Sequence, residues 1–188
     1  DVIIVGGGDS GMNEFFVQAD IKSFADLRGR TVIVDAPNTA YALQAKKILK
    51  DRGLMPGDYQ LKEVGGTFQR IRAMQQDKSN TASMLNPPFS LQATASGLRS
   101  LGKVSELLGP YQASGAFAMR PWAQANGAVV ERYLAAWIEG TRWGLDPAHR
   151  EPAIALLAQR MQLDRPLAES TYGVLATGLA RDVAFDAP

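Results

Sequence analysis

The 188-residue chain has no cysteine and a single histidine, His149. Without cysteine there are no disulfides, thiolate metal sites or cysteine nucleophiles, and the redox compartment stays open. One histidine rules out a histidine-rich metal centre, so no metal and no cofactor is expected. An excess of one charge is also missing. The 20 Lys and Arg residues face 19 Asp and Glu, a net charge of +1, and the basic residues are scattered. Nucleic-acid recognition rests on a basic patch or stripe, so no nucleic-acid partner is expected. No apolar run approaches the ~20 residues that span a bilayer. The N-terminus lacks the charged-then-apolar pattern of a secretory leader. There is no internal repeat and no GxSxG, and the glycine run GGGDSG lacks the GK[ST] ending of a phosphate-binding loop. Ser10 is therefore not expected to be a nucleophile, and His149 has no sequence neighbour that would complete a triad.

Hydrophobic residues make up 46% of the chain, enough for one generous domain or two small lobes. Residues 2–5 (VIIV) read as a buried strand, expected to be parallel, followed by a flexible turn, GGGDSG. EFFV at 14–17 reads as a further extended piece, and SFADLRG as a capped turn with Asp26 at the box position. TVIV at 31–34 is a strand. Residues 40–51 are a helix whose buried stripe would hold Leu43, Ile48 and Leu49, and Gly53 stops it. Residues 59–64 read as a strand. Thr67 is expected to cap a helix with Phe68, Ile71 and Met74 inward, and 81–85 is a strand ended by NPPF. A strand of small residues at 115–119 precedes four helical stretches, 121–126, 128–144, 150–161 and 166–175. Asp164 is the expected cap of the last helix, and Trp137 and Trp143 are expected in the core. The order βαβαβ over residues 31–112 predicts a compact α/β lobe on a mostly parallel sheet, inserted between two parts of another lobe. The chain opens on an apolar strand and closes on GLARDVAFDAP without a closing element, which predicts a piece of a longer protein, truncated at both ends.

In parallel α/β sheets, ligands bind beyond the carboxyl ends of strands. Three such junctions share a polar, glycine- or proline-rich character: residues 6–11, DAPNT at 35–39 and NPPF at 86–89. GGT at 65–67 is a fourth candidate. The junction TVIV-DAPNT-AYAL is the most informative. The first turn of a helix has unpaired N–H groups and partial positive charge. Asn38 or Thr39 can cap the helix while a carboxylate, sulfonate or phosphate sits on the amides of Thr39, Ala40 and Tyr41. The plainer alternative is an ordinary N-cap.

Three stretches carry a family resemblance: LRGRTVIVDAPNTAYALQAKKIL, VGGTFQRIRAMQQDKSNTASMLNPPF and LGPYQASGAFAMRPWA. Together they resemble the solute-binding proteins of ABC importers, in the nitrate/sulfonate/taurine and thiamine-precursor-like branch. The resemblance implies a two-lobed, type II periplasmic-binding-protein-like α/β fold. Residues 1–30 would be part of lobe I with the first hinge, 31–112 lobe II, and 113–188 the second hinge and the helical remainder of lobe I. Hinges would lie near 28–30 and 111–115. It implies a ligand in the cleft, met by Gly8, Asp9 and Ser10 from one side and by Asn38, Thr39, Ala40, Tyr41, Asn86 and Pro87 from the other. It further implies a binding protein rather than an enzyme, a periplasmic location, a small-molecule solute and an ABC permease in the membrane as partners. A pyrimidine-synthesising fungal relative of this branch uses a cysteine-rich motif, which a cysteine-free chain cannot supply. The rival readings are a ligand-sensing effector domain of a regulator or receptor, and a small-molecule enzyme on the same scaffold. Arg28, Arg30 and Arg70 are expected at the surface, which favours a monoanion or a neutral heterocycle over a doubly charged anion. Tyr41 and Phe89 permit an aromatic ring.

Overall fold

A computed structural model describes residues 1–9, 11–109 and 111–184. The chain begins with β1 (Val2–Asp9), β2 (Glu14–Val17) and a short 3-10 turn, Phe24–Leu27. Then come β3 (Thr31–Val34), α1 (Ala40–Asp51), β4 (Gln60–Glu63), α2 (Thr67–Gln76), β5 (Asn80–Leu85) and α3 (Phe89–Ala95). After β6 (Arg99–Lys103), α4 (Val104–Leu108) and β7 (Ser114–Met119), the remainder is helical. It comprises α5 (Arg120–Ala125), α6 (Gly127–Leu145), α7 (Arg150–Met161) and α8 (Arg165–Gly178). Two compact units result: Asn13–Gly109, and Asp1–Met12 together with the chain from residue 110 onward.

The unit Asn13–Gly109 is built on a five-stranded sheet in the order β4-β3-β5-β2-β6. β3 runs parallel to β4 and β5, and β2 runs antiparallel to β5 and β6. Every residue of the central strand β5 is buried, as expected of a strand covered on both faces. Phe16, Ile33, Ile71, Met74 and Leu85 meet in one cluster closed by Ala93 and Leu98. The pairing of β2 bears on the expected boundary near residue 30. Glu14–Val17 is hydrogen-bonded into this sheet, so the chain enters the unit at Asn13, well before the Phe24–Leu27 turn.

Two inward positions differ from the expected helix faces. Leu43 and Phe68 are exposed, while Ala42, Ala45, Ile48 and Leu49 form the inner face of α1. Ala42 and Ala45 have no accessible surface. Small residues there let the helix backbone approach the sheet, which turns Leu43 outward. The α2 cap is Gly66 rather than Thr67, which is the first helical residue.

In the other unit, β1 pairs with β7, antiparallel rather than parallel. Val2 and Ile4 are exposed rather than buried, because β7 is the only strand that pairs with β1 among the described residues. The glycines expected in a turn continue β1 instead. Their lack of a side chain is required by close neighbours: a Cβ on Gly7 would collide with the Ala184 carbonyl, and one on Gly8 with the Ser114 hydroxyl. The helical part has a small core of Ala153, Ile154, Ala168 and Tyr172. Trp143 is exposed and stacks on His149, with ring centroids 5.0 Å apart, and Trp137 is half-buried; neither is in the core.

Asp164 caps α8, its carboxylate accepting from the Leu167 N–H at 2.9 Å. Replacing Asp164 with alanine is expected to lower stability by about 1 kcal/mol, read as a shift in the denaturant midpoint at unchanged slope.

Candidate functional site

The parallel strands β4, β3 and β5 end at the same edge of their sheet, with Val34 opposite Glu63 and Ile33 opposite Ser83. The loops that follow lead into α1, α2 and α3. At α1, Thr39 is the N-cap, extended at φ −81° and ψ 167°. Its hydroxyl accepts from the Ala42 N–H at 3.3 Å and donates to Asp35 Oδ1 at 2.5 Å. The N–H of Leu43 reaches the Thr39 carbonyl at 2.9 Å. The amides of Ala40 and Tyr41 have no protein acceptor among the described residues. They are the open donors of the α1 N-terminus, with the helix dipole behind them.

Side chains from the first turns of α1 and α2 converge on Asn86. Its Oδ1 accepts from Thr67 Oγ1 at 3.0 Å and lies 3.4 Å from the Tyr41 hydroxyl. Its Nδ2 has a long contact, 3.3 Å, with the Pro87 carbonyl. The Pro87–Pro88 peptide bond is cis. The expected residues Asn38, Thr39, Ala40, Tyr41, Asn86 and Pro87 thus belong to neighbouring loops at one sheet edge.

Arg70 was expected at the surface and lies at the centre of this group. It is 0% exposed. Its Nε donates to Ser83 Oγ at 3.1 Å, Nη1 to the Gly65 carbonyl at 2.7 Å, and Nη2 to Thr67 Oγ1 and the Met84 carbonyl, both at 3.1 Å. The guanidinium carbon lies 4.7 Å from the centroid of the Tyr41 ring, within cation–π range. Burial lowers the Arg70 pKa from its ordinary value, and the nearby Asp35 carboxylate, then Tyr41, act to raise it. Arginine stays protonated through such shifts, so this edge holds a buried positive charge. Sequence reasoning missed Arg70 because one charged residue in an amphipathic helix reads as its wet face. The available signal was position: Arg70 follows the N-cap by one turn, beside the strand ends.

Gly8 and Asp9 belong to the other unit. Asp9 is buried, and both its carboxylate oxygens are taken: Oδ1 accepts from the Gly11 N–H at 2.9 Å and Oδ2 from the Ser114 hydroxyl. Its carbonyl accepts from the Ala113 N–H at 3.0 Å. This pattern ties the end of β1 to the start of β7. Ser10 lies outside the described residues. The helical part also holds an apolar cavity of about 450 Å³ lined by Trp137, Trp143, Leu157 and Tyr172; it offers little to orient a polar solute. Among the described residues no group of three or more His, Asp or Glu is placed to hold a metal, and no helix is long and apolar enough to cross a membrane.

No protein-family model matches the chain. It is 31% identical over 152 residues to an Escherichia coli (strain K12) protein named for binding aliphatic sulfonates. That match takes in 80% of this chain and 45% of the relative, so the chain spans less than half the relative's length. The crystal structure of the periplasmic aliphatic sulphonate binding protein SsuA from Escherichia coli superposes with a TM-score of 0.72 at 27% identity, over 92% of this chain and 56% of that one. The alkanesulfonate-binding protein SsuA from Xanthomonas axonopodis pv. citri, bound to MOPS, gives a TM-score of 0.75 at 21% identity, over 93% of this chain and 60% of that one. A desulfurization enzyme shares the fold, with a TM-score of 0.61 at 16% identity over 93% of this chain and 65% of that one. The mixed α/β architecture is that of the periplasmic binding proteins, as the sequence motifs imply.

Proposed function

We propose, from the premise that this chain is a relative of the ABC-importer solute-binding proteins of the sulfonate and nitrate branch, that its protein captures a small anionic or strongly polar organic solute and delivers it to a membrane permease. The observation that carries this reading is the edge of the Asn13–Gly109 sheet. Two open amides of the α1 N-terminus, an asparagine amide and a buried guanidinium stand together where α/β sheets hold ligands. Thr39, Ala40 and Tyr41 would bind through the helix N-terminus, and Asn38, Asn86 and Pro87 would border the solute. Gly8, Asp9 and Ser10 enter the proposal through the family resemblance alone. A periplasmic location and an ABC permease partner belong to the same proposal.

The test is calorimetric titration with ethanesulfonate, taurine, nitrate and an aminopyrimidine. Binding of one of them with a Kd below roughly 100 µM, about −5.5 kcal/mol, is expected. No heat from any of them at millimolar concentration overturns the reading. The shared fold of a desulfurization enzyme makes product analysis part of the same experiment. Conversion of a bound sulfonate would replace capture with catalysis.

A further inference from the structure

Arg70 does more than add charge to the edge. A guanidinium only donates hydrogen bonds, so each atom it touches must act as an acceptor. The Thr67 hydroxyl accepts from Nη2 at 3.1 Å and has one proton to give; its other partner, 3.0 Å away, is Asn86 Oδ1. The arginine therefore fixes the direction of the Thr67 hydroxyl, and the hydroxyl fixes the orientation of the Asn86 amide. The Tyr41 hydroxyl, 3.4 Å from the same oxygen and held under the guanidinium, supports that orientation. With Oδ1 committed to two hydroxyls, Asn86 has only Nδ2 to offer a ligand. The groups around Asn86 that face a ligand with a hydrogen to give are then the second Nδ2 hydrogen of Asn86, the first being directed at the Pro87 carbonyl, and the amides of Ala40 and Tyr41.

The charge is also uncompensated at contact range. Among the described residues, no carboxylate oxygen lies within 4 Å of the Arg70 nitrogens; the Asp35 carboxylate, whose Oδ1 accepts from Thr39, acts on the guanidinium from beyond that range. Four of the five guanidinium hydrogens go to protein atoms. The side chain is thus held in one place whether or not a ligand is present.

We infer that Arg70 is the specificity-determining residue of this site: through Thr67 it turns Asn86 donor-outward and through its charge it favours an anion, so the site selects a solute with acceptors only over a neutral solute of the same shape. This rests on the proposed binding function and adds the residue that sets the site's polarity. Arg70 is a positioning residue, since it acts through Thr67, Asn86 and Tyr41.

The experiment measures binding of methanesulfonate and of its neutral counterpart methanesulfonamide, which carries an N–H donor, to the wild-type protein and to Arg70→Met, Arg70→Lys and Thr67→Val, with thermal unfolding of each variant. Amide shifts of Ala40 and Tyr41 under acetate and formate are recorded alongside. Arg70→Met is expected to weaken methanesulfonate by about 10–100-fold, the range of charge-assisted bonds, and to leave the sulfonamide, whose N–H a freed Asn86 Oδ1 can accept, within about threefold. Arg70→Lys is expected to restore part of the anion preference, since it keeps the charge and loses the fork. If Arg70→Met does not fold, Thr67→Val, which keeps the guanidinium and breaks the relay, carries the test by narrowing the preference. An unchanged preference in every folded variant, or equal losses for both ligands, overturns the inference while sulfonate binding itself stands. Arg70-dependent amide shifts with acetate or formate, but no binding of any organic solute, would keep the inference and remove the import reading. No anion response at all overturns both.

Discussion

Phe16→Ala is expected to destabilise the Asn13–Gly109 unit by about 3–5 kcal/mol, the usual loss for deleting a buried aromatic ring. Phe16 has almost no accessible surface and packs with Ile33, Ile71, Met74 and Leu85. Its strand lies between β5 and β6, so the cavity would open in the middle of the sheet. The variant's effect should be local to that unit. Amide exchange of β3 and β5 should accelerate far more than that of α7 and α8. Equal acceleration everywhere would mean that the two units unfold as one. No acceleration in β3 and β5 would mean that residues 14–17 do not belong to this sheet.

The second large effect is on binding. Ala40→Pro removes one N–H from the α1 N-terminus and adds little else. Ala40 is the first helical residue and is exposed, and proline is favoured at that position. Thr39, at φ −81° and ψ 167°, already has the extended backbone that precedes a proline. No protein hydrogen bond is lost, so stability should change by less than about 0.5 kcal/mol. Affinity for an anionic solute should fall about tenfold or more, the size of one charge-assisted bond. Ala40→Ser, which keeps the amide, should bind as the wild type does. Equal affinity for the proline and serine variants would remove the helix N-terminus from the site.

Period and punctuation made much of this architecture legible in the sequence. TVIV, the run AYALQAKKILKD and Arg150–Met161 carry their own signals, and Asp164 announces α8 by its place before a proline-led turn. The DAPNT junction was legible for the same reason, because caps and strand ends are local chemistry. What the sequence concealed was non-local. Nothing within EFFV says that it pairs with two strands far ahead of it. VIIV reads as buried by composition, although its exposure depends on what covers it. Arg70 looks like any solvated helix residue until the positions of Ser83, Gly65 and Met84 are known. Leu43 and Ala42 differ by one position, and tertiary packing decided which of them faces inward.

The strand order β4-β3-β5-β2-β6 has a consequence for synthesis. β2 emerges from the ribosome well ahead of both strands it will pair with. The intervening chain can form β3, α1 and β4 early, but the slot between β5 and β6 exists only once Arg99–Lys103 has been made. Pairings this distant in sequence slow folding, because a long loop must close before any contact rewards it. Until then the apolar EFFV segment has no partner, and an unpaired apolar strand is prone to aggregate. Nascent chains halted before β6 should therefore be the ones that chaperones hold longest, and their release should coincide with the appearance of β6 itself.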